Sequence, residues 1–305
     1  MALALAIDLG GTKVEAALVD AAGTIVPGSR TRIATGAAAA ADRGVLERAL
    51  TGVIAHCRSL PGWSMVTAVG VGAAGPIDRT AGTISPVNLP SARSFPLVDM
   101  VARESGLSDV TLRLDGTCIA LAEVWLGAAR GATNALVFVV STGIGGGIIS
   151  DGRLLAGGSG NAGHLGQVIV GDIHGDAAAS TVEERASGPH AVAWAQRQGW
   201  SGTTGEELAA AYRDGDIIAV SAVARSAQAI GIGLASTATL LDLDLAVIGG
   251  GFSFVADDFA PQIEAAAHAA CVNAYAARLR VVRAELGGDA PLIGAAALVH
   301  RRDLL

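Results

Sequence analysis

One pattern occurs twice in this chain, and it limits the possible folds more than any other feature. Residues 3–8 (LALAID) form an apolar run ending in Asp8. A turn of Gly10, Gly11, Thr12 and Lys13 follows, then a second apolar run at 14–20, a turn at Ala21–Gly23 and a third short strand. Residues 135–140 (ALVFVV) are again an apolar run. A turn of hydroxyls and glycines follows from Ser141 to Gly147, then a strand entry, a turn at Asp151 and Gly152, and a last strand (RLLAG). Each copy reads as a β-hairpin whose first turn is built from glycines and hydroxyls. Two such units about 130 residues apart, in the same order, predict a duplicated architecture with a cleft between the halves.

The remaining periodicity fills in an α/β chain. A helix is expected at 42–58 with Asp42 as its N-cap, a buried strand at 66–72, and a strand at 110–114 that ends at Asp115 before a helix over 117–128. The stretch 75–96 holds four prolines among turn residues and reads as a long functional loop. The second half predicts helices at 181–198, 205–213, 217–239 and 257–275 and strands at 244–248 and 278–286. A final helix follows from about 291.

Composition narrows the partners. Charged residues are 16% of the chain and its net charge is −7, with no Lys/Arg cluster, so neither nucleic acid nor a membrane surface is an expected partner. An anionic ligand must be held locally, by backbone amides, Mg²⁺ or a few side chains. Cys57, Cys118 and Cys271 are scattered, which suits a reducing compartment, and no uncharged apolar run reaches membrane-spanning length. The expected location is the cytoplasm.

Three Gly-rich turns follow apolar strands, at 10–13, 143–147 and 249–251. Glycine lets successive backbone N–H groups approach a phosphate, so the three together suggest a nucleotide cradle, although each alone fits a plain hairpin turn. No Walker loop is present. Asp8 closes a strand just before the first turn, where a carboxylate can hold Mg²⁺ through water or bond the turn amides. Lys13 can reach a phosphate or remain a solvated hairpin charge. Asp115 stands at another strand end, suited either to take a proton from an attacking hydroxyl or to cap the next helix. His164, Gln167, His174, Glu183 and His190 lie in a Gly-rich middle region, but their spacing fits no closed zinc set.

These motifs resemble the repressor–ORF–kinase (ROK) family of bacterial sugar kinases along almost the whole chain. DLGGTK (8–13) is similar to the family's phosphate motif, and GAAGPID (72–78) with 86–89 to its sugar-side loop, where Asn88 falls on a sugar-contacting position. The segment 114–131 resembles the catalytic segment and puts the base on Asp115. The segment 141–166 resembles the family signature, with Thr142 and Gly143 near the phosphates. Glu183 falls on a sugar-binding glutamate, and Gly249, Gly250 and Gly251 resemble the adenosine-side motif. The resemblance implies an α/β, two-lobed, actin-like (ribonuclease H-like, duplicated) sugar kinase fold with a central cleft. The expected lobes are 1–117 plus a C-terminal helix at about 291–305, and 118–290. It also implies ATP and Mg²⁺ as cofactors, with Asp8, Gly10, Gly11, Thr12 and Lys13 on the ATP side, a small sugar-like substrate, and a homodimer.

The departures from the family pattern are local. Leu114 and Thr117 replace two asparagines around the base, His164 replaces a glutamate, and Gln167 replaces a histidine that is also a zinc ligand. The cysteine-rich zinc loop is replaced by residues 171–181, so no structural zinc is expected. The phosphate motifs and base match the family while the sugar-recognition positions, Asn88, His164, Gln167 and Glu183, are partly rewritten. That points to a kinase acting on a sugar or sugar-like cyclitol other than plain glucose. An ordinary glucokinase and a catalytically inactive sugar-binding protein are the alternatives. A repressor is not expected, because the phosphate motif begins at Asp8.

Overall fold

The computed structural model of the protein describes residues 2–171 and 176–305. The chain divides into two compact units, one of residues 1–127, 153–162 and 288–305, the other of residues 128–152 and 163–287.

In the first unit the leading hairpin is β1 (Leu3–Leu9) and β2 (Lys13–Asp20), extended by β3 (Thr31–Ala34). Then β4 (Val66–Ala73) adds in parallel to the other side of β1. The short pair β5 (Ile77–Asp78) and β6 (Thr83–Ile84) forms its own ribbon, and β7 (Val110–Leu114) completes the main sheet in the order β3-β2-β1-β4-β7. The helices are α1 (Gly36–Ala41), α2 (Arg43–Arg58), α3 (Leu97–Ser105) and α4 (Asp115–Leu126), with a helix at the C-terminal end of the chain.

The alternation of large and small residues in β1 decides what covers each face. Leu3, Leu5, Ile7 and Leu9 share one buried cluster with Leu46, Leu50 and Val53 of α2. On the other face the register sets Ala6 beside Gly70 and Asp8 beside Gly72. That face is thin, and the C-terminal helix lies on it: a Cβ at Gly70 would overlap the backbone of Ala295. The same helix meets α4 through Gly294, where a Cβ would overlap the backbone of Cys118. These backbone approaches bring the C-terminal helix into the first unit, and all of α4 with it. The border expected at 117 would cut α4 after three residues.

The second unit repeats the plan. β8 (Ala135–Val140) forms a hairpin with β9 (Ile144–Ser150), while β10 (Arg153–Leu154) belongs to the first unit's residues. β11 (Leu245–Gly249) pairs in parallel with β8, and β12 (Arg280–Arg283) in parallel with β11. Strand order and direction thus match β2-β1-β4-β7, as duplicated hairpins require. The helices are α5 (Val182–Ala186), α6 (Gly188–Arg197), α7 (Gly205–Arg213), α8 (Ile217–Leu241) and α9 (Phe259–Ala270), and α10 (Ala290–His300) is the helix already described on the first sheet. By length and composition α8 alone among the described helices could cross a membrane. Yet 56% of its most apolar window is buried, and it packs closely on α9 through Gly231.

Several sequence-derived elements change on folding. The expected helix 181–198 is two helices, because Ser187 is extended and Pro189 opens a new first turn. The loop 75–96 contains the β5–β6 ribbon. Asp42 caps α2 as expected, its carboxylate accepting from the Gly44 N–H at 2.8 Å.

Candidate active site

In the first unit the carboxyl ends of the three parallel strands lie in register, with Leu9 beside Ala73 and Ala73 beside Leu114. Ligands of parallel sheets gather at such ends. Asp8 and Asp115 both stand here. Asp8 is 6% exposed, on the thin face of the sheet. Burial, and then the charge of Asp115, push its carboxyl up to about 7, against the pull of Lys13. Asp115 is the first residue of α4 rather than a residue ahead of it, and its Oδ1 accepts from the Gly116 N–H at 2.7 Å. A Cβ at Gly72 would press on the Cys118 side chain at 3.0 Å and meet the Asp115 Cα at an ordinary contact distance of 3.7 Å.

The first glycine turn closes with Gly10 N–H donating to the Lys13 carbonyl at 3.0 Å. Gly11 lies against the side chain of Asn88, so closely that a Cβ on Gly11 would overlap the amide. The phosphate-motif turn and the sugar-loop asparagine are therefore neighbours. Thr12 is exposed, and its carbonyl accepts from the N–H groups of Thr35 and Gly36.

Glu15 was missed in the sequence. It pairs with Asp8 across the hairpin, is 2% exposed, and accepts from Lys13 at 2.7 Å, with Arg30 and Arg32 also bound. Desolvation opposes its charge, but hydrogen bonds from Lys13 and the two arginines win and hold it at about 2. Lys13 is thus a partner of Glu15, not a solvated charge. The only signal was the alternation that puts residues 8 and 15 on one face.

Leu114 is buried and its side chain packs on Gly75 in the sugar-side loop. Asn161 also reaches that loop, its amide exchanging two hydrogen bonds of 2.9 Å with the backbone of Ile77. This clamp fixes the segment 153–162 to the first unit, a long-range contact with no local signal.

The second unit has its own cluster at the ends of β8 and β11, where Val139 pairs with Gly249. The turn Ser141–Gly143 closes with Ser141 N–H donating to the Gly143 carbonyl, and Gly188 N–H, at the start of α6, donates to the Ser141 carbonyl at 3.0 Å. Gly250 has φ +87°, and a Cβ there would overlap the Val140 backbone. Only glycine lets the end of β11 pass this close to β8. A cavity of about 820 Å³ opens here, bounded by Thr142, Gly188, Gly251, Phe252 and Phe254. Phe254 is 63% exposed, and the Arg283 guanidinium lies 5.4 Å from its ring centroid. Glycine turns at two strand ends beside an exposed aromatic face suit a nucleotide.

Glu183, in the first turn of α5, extends its carboxylate toward β9, where Oε2 accepts from the Ile144 N–H at 2.7 Å. Gly143 and Gly166 leave it room: a Cβ would lie 2.7 Å from Oε2 at the first and 3.2 Å at the second. Gln167 Nε2 approaches Glu183 Oε1 at 3.5 Å. The two rewritten positions part company here. His164 is exposed and borders a separate, mostly apolar cavity of about 270 Å³ with Leu136, Ile148 and Leu240. His190 pairs with Ser187 at 2.7 Å and Glu184 at 3.1 Å. His174 lies outside the described residues. Among the described residues no group of three or more His, Cys, Asp and Glu side chains is gathered as a metal site.

A family model for the ROK family matches residues 4–302 of the chain. A glucokinase of Streptomyces coelicolor is 29% identical over 325 aligned positions, covering 99% of each chain. An N-acetylmannosamine kinase of Yersinia pseudotuberculosis is 35% identical over 257 positions, covering 82% of this chain and 83% of its own. Among solved structures, a ROK glucokinase from Streptomyces griseus, in complex with glucose and AMPPNP, superposes with a TM-score of 0.79 at 29% identity. It covers 97% of this chain and 98% of its own.

Proposed function

Since the chain belongs to the ROK family, whose sugar kinases have the actin-like two-lobed fold, we propose that it is an ATP-dependent kinase. Its acceptor is a hydroxyl, most simply a primary one, of a modified sugar or a cyclitol, and Asp115 is the general base. The observation that carries this reading is the carboxylate pair at the strand ends, Asp8 buried beside Asp115, with Asn88 against Gly11 on the same unit. Phosphoryl transfer asks the protein for positioning, charge neutralisation and a proton acceptor. Asp115 takes the proton as the acceptor oxygen bonds the γ-phosphorus and the bond to the β–γ bridging oxygen breaks, releasing ADP.

The residues present fit Mg²⁺. The Asp115 charge raises the proton affinity of the buried Asp8, which makes a site whose charge a hard cation relieves, and Asp8 would hold the ion through water. When bound, the ion neutralises phosphate charge. In the second unit, the cavity beside Thr142, Gly188 and Gly251 would take the adenosine, with Phe254 as a stacking face. Gly143 supplies the close backbone approach to phosphate.

The acceptor differs from glucose because the polar shell differs. Leu114, packed on Gly75, offers no hydrogen bond where the family pattern has asparagine. Gln167 beside Glu183 puts an amide where the family pattern has an imidazole. Relatives named as a glucokinase and as an N-acetylmannosamine kinase leave room for either a plain or a substituted ring. We place the protein in the cytoplasm, where its three free cysteines stay reduced, and read it as a homodimer, which sedimentation tests. The deciding experiment is competitive kinetics with ATP over glucose, amino and deoxy hexoses, and cyclitols. Highest kcat/KM on a substituted ring or cyclitol is expected. Highest kcat/KM on glucose makes this an ordinary glucokinase, and no turnover on any acceptor makes it a sugar-binding protein.

A further inference from the structure

β7 is the edge strand of the first sheet, paired on one side only, with β4. Along its open side lies a cavity of about 950 Å³, walled by β7, the β5–β6 ribbon and Ser159. Asp8, Asn88 and Asp115 do not line it. Arg79 and Arg113 both do, and among the described residues neither forms an ion pair with a carboxylate. Arg113 spends one N–H on the neighbouring Leu112 carbonyl at 2.8 Å, and its Nε is buried with no hydrogen-bond partner. Burial and the nearby Arg79 charge hold the Arg113 guanidinium below the usual arginine range. The third arginine of the wall, Arg302, is already neutralised by Asp109. The wall also carries two carboxylates. Asp78 spends one oxygen on the N–H groups of Thr80 and Ala81, at 2.9 Å each, while Asp99 faces the cavity from α3.

A half-buried guanidinium such as that of Arg113, beside a second cation and without a counter-ion, is costly unless an anion joins it. Guanidinium groups present paired donors that match phosphate oxygens. The cavity is far larger than a phosphate ion, and its other walls include the hydroxyls of Thr80, Thr111 and Ser159. Such hydroxyls, with Asp99 as an acceptor, suit the body of a polyol.

We propose that this cavity at the β7 edge is a second ligand site, binding a phosphate group, free or esterified to a small polyol, on Arg79 and Arg113. The site is independent of the kinase reading, since it would bind such a group whether or not the chain transfers phosphate.

Isothermal titration calorimetry on the whole chain tests it, with inorganic phosphate and with a hexose 6-phosphate as probes, in the presence of saturating AMPPNP and Mg²⁺. Saturable binding is expected. Arg79→Ala, at an exposed position, should weaken it at least about tenfold, as the loss of a charge-assisted contact implies, with the melting temperature and kcat unchanged. Arg113→Gln should do the same, and if it does not fold the Arg79 result decides. Tighter binding of the ester assigns the site to a phosphorylated polyol, and equal or tighter binding of inorganic phosphate assigns it to the free ion. The proposal is overturned if neither probe binds saturably at millimolar concentration, or if Arg79→Ala binds as tightly as the wild type.

Discussion

Replacing Asp8 by Asn should stabilise the first unit more at pH 8 than at pH 5. In the native protein the Asp8 carboxyl sits at about 7, against 3.8 for the free group. Between those values the folded state holds a proton that the unfolded state has lost. Stability therefore falls as pH rises through this window and levels off above it. Each pH unit of difference is about 1.4 kcal/mol, so the rise sets a ceiling of roughly 4 kcal/mol on the cost of charging Asp8. Asn keeps the shape and never charges. Glu15 is held at about 2 against 4.5 for the free group, so its contribution is lost only as pH falls below about 4.5, outside the range assayed. The assay is urea unfolding of wild type and Asp8→Asn at pH 5, 6, 7 and 8 in magnesium-free buffer. Hydrogen exchange of β1 and β4 peptides assigns the effect to the first unit, because the two units need not unfold together. The difference should grow in favour of Asp8→Asn from pH 5 to pH 8. Parallel profiles would refute the argument that burial and Asp115 together hold the proton on Asp8.

Other substitutions probe the same sites. Asp115→Asn should leave nucleotide affinity nearly intact and lower turnover at least about a hundredfold, the scale of general-base catalysis. Near-wild-type turnover would remove Asp115 from that role. The same variant should lower the apparent pKa of Asp8, because the Asp115 charge is the second cause of its rise. Gly250→Ala forces a side chain onto a backbone at φ +87° and into Val140, and should cost roughly 2 kcal/mol or more in urea unfolding. Gly251→Ala meets no atom within 4 Å and should be close to neutral in the same assay. Equal effects would contradict this account of the turn.

What the sequence determined by itself is the local plan. Apolar runs of alternating size, each closed by a glycine turn, specify a strand and its end without reference to the rest of the chain. The hairpins at β1–β2 and β8–β9, and the span of β7, are legible for that reason. The duplication follows from the recurrence of that plan, and Asp8 and Asp115 could be singled out because both close apolar strands. Local patterns mislead where a neighbour intervenes. Pro189 divides a helical run, and α4 begins at Asp115 itself, so of the two roles open to this residue capping falls away and it stands in the first turn. Tertiary structure alone decided which distant groups meet. Glu15 gathers Lys13, Arg30 and Arg32, Asn161 clamps Ile77, α10 settles on Gly70, and Gln167 joins Glu183 while His164 lines another cavity. Each of these depends on strand register or on backbones close enough to exclude a Cβ. Both are set by how whole elements pack, and periodicity within one segment carries no record of that.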